Sequence, residues 1–420
     1  MSADDEPAKG GLLQHRPFVF LWFARLFATI GYQALAVVIG WSIYEITGSA
    51  FDLGYVGLLQ FIPAVVLTLL IGHVADRYDR RLTVRLAQSV YALCAVVMTA
   101  AMLGAWLSRE LLFVLVFAIG CARAFELPTN QSLVAATVPV KLMPRAVAAW
   151  TSANQTAVIC GPALGGFIYA FEPRAVSAMC AVFFLAAIAC VSLMRVARHT
   201  PSREPPTLRS ALAGFDFVRS RSRLLGVISL DLFVVLLGGA TALLPIFAKD
   251  ILEAGPIGLG LLRSAPAIGA LLTALVLSRI PVERHIGRKM FVSVAVFGAA
   301  TVVFALSTSL PLSIGALAVL GAADAVSVVI RFTLVQIETP DEMRGRVAAI
   351  NYLFVGSSNT LGEFESGVLA GLLGAVPSVL IGGIGSLIVA GLWMMLFPDL
   401  RHLDRFQPAG SRKEQGAAKA

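Results

Sequence analysis

From residue 18 onward the chain alternates long apolar runs with short charged loops, and this alternation constrains the fold more than any other feature. A helix needs about 20 apolar residues to cross the hydrocarbon layer of a bilayer. Runs of that kind fall at 18–45, 52–74, 83–107, 111–137, 146–170, 175–195, 224–248, 256–278, 290–309, 312–337, 347–373 and 377–397. They predict an all-α integral membrane protein with twelve transmembrane helices. Composition agrees: 58% of the 420 residues are hydrophobic, 14% are charged, and the mean hydropathy is +0.82. A soluble domain has no interior large enough to hide so much apolar surface. The polar start MSADDEPAKGGLLQHRP precedes an apolar run too long for a cleaved leader, so the N-terminus is expected in the cytoplasm.

The net charge of +8 matters here through its placement. Lys and Arg gather in the two tails and in the loops that follow even-numbered spans. Arg109, Arg174 and Lys249 lie on the other side, and Arg25, Arg123, Arg263 and Arg331 lie within spans. Positive residues accumulate on the cytoplasmic face, which puts both termini there and predicts residence in the plasma membrane. The cysteines Cys94, Cys121, Cys160, Cys180 and Cys190 sit in apolar runs without metal-ligand spacing and read as small hydrophobic residues.

The longest internal polar stretch, Arg195 to Arg223, divides the chain. Residues 1–194 and 224–400 are expected to form two six-helix bundles related by pseudo-symmetry, with 195–223 a cytoplasmic linker and 401–420 a cytoplasmic tail. Pro201, Pro205 and Pro206 exclude a helix at the start of the linker, whereas Leu208, Ala211, Leu212, Phe215 and Val218 recur at helical spacing and predict an amphipathic helix on the membrane face, with a solvated loop as the plainer alternative. Sliding the second half back by 201 residues places Pro139 on Pro340, Arg145 on Arg346, Gly161 on Gly362 and Gly166 on Gly367. Parallel repeats with a site near the midplane are one plan for a secondary transporter.

Between the second and third spans stands GHVADRYDRR. As plain topology its arginines anchor a cytoplasmic turn, and Asp76 and Asp79 either pair with them or sit at a helix start. The spacing Gly72, Asp76, Arg77, Arg80, Arg81 also resembles the signature loop of the major facilitator superfamily, with Asp79 where that family has glycine, and RIPVERHIGRK at 279–289 resembles a degraded second copy. The resemblance implies a cytoplasmic gate loop in which Asp76 engages the end of helix eleven near Arg344 and Arg346. Within the superfamily, RPFVFLWFARLFATIG, AFELPTNQSLVAATVP and TPDEMRGRVAAINYLFVGSSNTLGEFESG are similar to the branch of enterobactin and macrolide exporters. Gly161, Pro162, Gly165 and Gly166 resemble its helix-five antiporter motif. The resemblance implies efflux of a small amphipathic, drug-like or siderophore-like compound by proton antiport. Import or uniport of an organic solute is the alternative within transport.

Ionisable groups in hydrocarbon are costly, at about 2.5 kcal/mol upward, and so are functional candidates. Here they are Arg25, Arg123, Glu126, Asp231, Arg263, Asp324, Arg331, Glu363 and Glu365. Arg123 and Glu126 share a face of helix four; Asp324 and Arg331 share a face of helix ten, two turns apart. The internal repeat sets Arg123 opposite Asp324. Either these groups face a central cavity, with Glu126 or Asp324 taking up the proton, or they form permanent ion pairs. Glu363 and Glu365, two apart, point in different directions. Asp231 and Arg25 form a possible gate pair, with a snorkelling Arg25 as the plainer reading. Tyr32, Gln33, Gln60, Phe61, Asn154, Gln155, Asn351 and Tyr352 either line an amphipathic cavity or join helices. No histidine falls at mid-membrane depth.

No lysine is followed by Ser or Thr, which excludes a phosphate-cradling loop and an ATP-driven pump. A membrane enzyme using Glu363 and Glu365 would lack a metal cluster or an activated nucleophile. A non-transporting sensor is the other alternative outside transport. No cofactor, metal or nucleic acid is expected; the expected partners are a small molecule, protons and the bilayer, around a monomer.

Overall fold

A computed structural model describes residues 11–67, 79–194, 215–280 and 283–406. No strand occurs among them. Their long helices are α1 (Arg16–Thr47), α2 (Ala50–Val66), α3 (Arg80–Leu103), α4 (Arg109–Thr137), α5 (Met143–Phe171), α6 (Pro173–Leu193), α7 (Ser222–Leu237), α8 (Gly255–Arg279), α9 (Ile286–Leu306), α10 (Leu310–Glu338), α11 (Asp341–Leu373) and α12 (Ala375–Leu396). Beyond Gly238 and Gly239, α7 continues through tighter and wider turns to Ile251. Among the described residues, nine helices are long and apolar enough to cross a membrane. Helices α5 and α11, of 29 and 33 residues, have the length but more polar sequences, and the described part of α2 is shorter.

Local chemistry sets the helix ends. Pro17 occupies the first turn of α1, where its missing N–H costs nothing, and Gly48 closes that helix at φ 60°. Ser108 caps α4 by accepting the Leu111 N–H, and Glu172 caps α6 by accepting that of Arg174. Outer faces are apolar: on α3, Leu82, Leu86, Leu93, Val96 and Leu103 are exposed along one stripe, while Thr83, Gln88 and Tyr91 are buried. Helices that turn leucine outward and glutamine inward are solvated by hydrocarbon.

The helices form two compact units. Unit 1 is built from described residues of Met1–Gly48, Leu59–Pro205 and Ala254–Ser264, and unit 2 from those of Ser49–Leu58, Pro206–Glu253 and Ala265–Ala420. In unit 1, Phe18 and Leu21 of α1 pack with Leu133 of α4, Ala146 of α5 and Val191 of α6. In unit 2, Leu230 of α7, Met290 and Phe291 of α9 and Ile330 of α10 form the core, joined by Leu400 and Leu403 from the segment after α12. That segment also caps α9: the His285 N–H donates to Asp404 Oδ1 at 3.1 Å, and the Gly287 N–H to Leu403 O at 2.9 Å.

The predicted linker helix falls mainly outside the described residues. Its end, 215–220, is helical, with Val218 buried beside Leu224 and Val347. The cysteines are free thiols, Cys94 and Cys180 buried and the others half-buried.

Candidate functional site: polar groups inside the two units

In unit 2, Asp231 on α7 and Arg331 on α10 form an ion pair, with side chains only 7% and 8% exposed. Asp231 lies nine residues from the start of α7 and Arg331 seven from the end of α10, so antiparallel packing brings them to one depth. Asp324 lies seven residues from Arg331, about 10 Å along the helix at 1.5 Å per residue, too far for direct pairing. It lines a cavity of about 10 Å³ with Asp231, Ser293 and Phe297 of α9, and Ser327. That volume is the size of one water molecule. Spacing along α10 alone had linked Asp324 with Arg331; the partner of Arg331 comes instead from another helix.

Unit 1 holds a second network at the junction of α1 to α4. Tyr91 Oη donates to Glu126 Oε2 at 2.9 Å, and Asn130 Nδ2 donates to Glu126 Oε1 at 3.2 Å. The Arg123 guanidinium lies 4.1 Å from the centre of the Tyr32 ring, and Tyr32 Oη donates to Gln60 Oε1 at 2.9 Å. Cation and ring attract through the ring quadrupole, an effect that grows when water is excluded. Tyr91 and Asn130 were not singled out in the sequence. Asn130 carried a signal, one turn after Glu126 on the same face; Tyr91 carried none beyond being a lone polar aromatic in an apolar run.

Arg25 Nη2 donates to Asn154 Oδ1 of α5 at 2.6 Å and lies over the Trp150 ring. Asp231 and Arg25, read together as a gate pair, therefore each have a partner inside their own unit. On α11, Ser366 Oγ donates to Glu365 Oε2, while Glu363 lies against Gly57 of α2. Asn351 is half-buried, and the side chain of Tyr352 lies outside the described residues.

The helix-five glycines are places of close approach. A Cβ on Gly165 would stand 2.9 Å from Ala34 Cα of α1, and one on Gly161 would stand 2.6 Å from Gln33 Cβ. One on Gly166 would meet Gly260 of α8 at 2.9 Å. Pro162 lies inside the helix and is buried. Small residues admit a second helix where hydrophobic pressure is absent.

Gly72, Asp76 and Arg77 of the gate loop lie outside the described residues, as does the side chain of Arg344. The end of the loop is described. Asp79 caps α3 by accepting the Arg81 N–H at 2.9 Å and pairs with the Arg81 guanidinium, which also donates to Met194 O. Arg80 donates to Ser132 O. The Arg81 hydrogen bond holds the Asp79 carboxyl below the usual carboxylate range.

Residues 11–416 match the sequence profile of the transmembrane secretion effectors, a family of the major facilitator superfamily. The chain belongs to this family. A transmembrane secretion effector is a multi-pass membrane transporter for small molecules rather than an enzyme. The enterobactin exporter EntS of Escherichia coli K12 is 26% identical over 409 residues, covering 94% of this chain and 95% of that protein; the EntS of Citrobacter koseri is 27% identical over 408 residues with the same coverage. Among solved structures, a bacterial homologue of the human lysosomal transporter Spinster superposes with a TM-score of 0.73 at 14% identity, covering 95% of this chain and all of that one. A POT family transporter gives 0.74 at 12%, covering 94% and 98%. The nucleoside transporter NupG gives 0.68 at 16%, covering 91% and 99%. These likenesses establish a major facilitator fold for this secretion effector.

Proposed function

We propose that this secretion effector is a secondary active exporter of a small amphipathic compound, working by proton antiport with alternating access. It crosses the plasma membrane twelve times as two six-helix bundles, 1–194 and 224–400, with both termini cytoplasmic, and acts as a monomer. The observation that carries the reading is the match to the enterobactin exporters along nearly the whole length of both proteins. A siderophore-like or drug-like cargo follows from it.

In this reading the coupling proton binds in the C-terminal bundle. Asp324 has no hydrogen-bond or ion-pair partner among the described residues and stands across a water-sized cavity from the Asp231–Arg331 pair. Ser293 and Ser327 offer hydroxyls along that cavity, through which a proton can pass between the two carboxylates. Glu126 is occupied as acceptor of two hydrogen bonds and serves to hold the N-terminal helices in register. Arg123, over Tyr32, faces the cargo. Asp76, Arg77, Arg80 and Arg81 form a cytoplasmic clasp that opens when cargo is loaded. Small-residue contacts such as Gly54 with Gly367 and Gly166 with Gly260 part and re-form with no side chain to disengage.

Counterflow in proteoliposomes tests the carrier reading, with enterobactin and a macrolide as probes. Unlabelled probe inside should drive transient accumulation of labelled probe, and Asp324→Asn should retain that exchange while losing acceleration by a pH gradient. Simple equilibration without overshoot for either probe would contradict a carrier of this class of cargo.

A further inference from the structure

A second cavity, in unit 1, takes no part in this scheme. It has a volume of about 310 Å³ and lies among the ends of α1, α3 and α5 and the start of α6. Because four helix ends meet there, it stands at the boundary between hydrocarbon and water. Exposed Trp106 lies in the chain between the lining residues Ala105 and Leu107, and tryptophan is enriched at membrane interfaces.

Its polar groups are two exposed charges, Glu45 and Arg174, beside the buried Ser42 and Tyr169. Tyr169 approaches Ser42 Oγ at 3.4 Å and donates from Oη to Glu45 Oε2 at 3.2 Å, which aims the carboxylate and leaves its other oxygen for a ligand. Arg174 lines the same cavity and reaches Glu172 at only 3.8 Å, a loose and exposed contact that a better anion can replace. Ile46, Met102 and Leu107 supply an apolar wall. An acid and a guanidinium on one wet cavity, with an apolar side, suit a molecule that carries an ammonium, a phosphate and a greasy remainder.

We propose that this cavity binds the headgroup of an ethanolamine phospholipid, its ammonium on Glu45 and its phosphate on Arg174, with the glycerol against Ile46 and Leu107. In the topology proposed above the lipid belongs to the leaflet opposite the tails. A lipid held there ties the end of α1 to α3 and α6, so it should stabilise the protein in a headgroup-specific way.

The test uses the purified full-length protein in detergent and follows its thermal midpoint while short-chain phosphatidylethanolamine is titrated. The midpoint should rise with phosphatidylethanolamine and not with phosphatidylglycerol, which lacks the ammonium. Glu45→Gln and Arg174→Gln should each weaken the response roughly tenfold or more, the effect of losing one charged hydrogen bond. Ile46→Trp, which fills the cavity and keeps both charges, should remove it. Soluble phosphoethanolamine acting alone at the same concentration would keep the site and make its ligand a solute instead of a lipid. Equal responses to the two lipids, or an unchanged response in both charge variants and in Ile46→Trp, would overturn the proposal.

Discussion

Replacing Arg331 by Met is the most informative single change in unit 2. The Asp231 carboxylate and the Arg331 guanidinium neutralise one another where almost no solvent reaches them. Met fills most of the arginine's volume, so packing changes little and the lost term is electrostatic. Removing one partner of a buried pair costs about 3–5 kcal/mol, because the remaining charge keeps its desolvation penalty without compensation. Replacing both partners by apolar residues of similar size is close to neutral, and in some proteins stabilising. The expected result is therefore a non-additive cycle: Arg331→Met loses about 3–5 kcal/mol, Asp231→Leu a comparable amount, and the double variant recovers most of it. Equilibrium unfolding in mixed micelles, followed by tryptophan fluorescence, measures all four corners of the cycle. A loss below about 1 kcal/mol for Arg331→Met, or a double variant no better than the singles, would refute the claim that this pair is buried and mutually dependent.

Three other outcomes follow from separate parts of the chain. Gly165→Leu should push α5 from α1 at Ala34 and lower stability by about 1–3 kcal/mol, whereas Gly315→Ala, where a Cβ meets nothing within 4 Å, should not; thermal midpoints of the two variants compare them. Leu400→Ala, at a fully buried position in the segment after α12, should cost about 2–5 kcal/mol by micelle unfolding. Asp79 has a lowered folded pKa, so its contribution is present at neutral pH and is lost as pH falls through that value. Because its side chain is 41% exposed, the difference between the protein and Asp79→Asn should stay within about 1 kcal/mol and vanish in acid; a difference independent of pH would contradict it.

Helix existence was legible because hydrocarbon imposes a minimum length on every crossing, and the apolar runs announce themselves. Helix ends were legible only to within a few residues: the apolar runs start at 111 and 175, whereas the caps Ser108 and Glu172 start α4 at Arg109 and α6 at Pro173. The interruption of α7 was not. Gly238 and Gly239 look innocuous inside an apolar run; a Cβ on Gly239 would run into the backbone of Gly362 in α11, and one on Gly238 would crowd Val234 O and the Phe297 ring of α9. Polar partners were legible along one helix and illegible between helices. Spacing could relate Asp324 to Arg331, and Glu126 to Arg123, but the ion pair with Asp231 and the hydrogen bond from Tyr91 depend on how separate helices pack. Asp79 shows a third case: although it departs from the gate-loop pattern, its place beside arginines and before an apolar run suits it to pair with them or to start a helix, and the structure makes it both the N-cap of α3 and the partner of Arg81.

Proton-coupled export is tested most directly in inside-out membrane vesicles that hold an acid interior, with a dye reporting the gradient while enterobactin or a macrolide is added. A compound exported against protons should discharge the gradient only in vesicles carrying the active protein, and Asp324→Asn should abolish the discharge while Glu126→Gln retains part of it. A gradient undisturbed by any compound that the same vesicles accumulate would contradict proton coupling and the role given to Asp324.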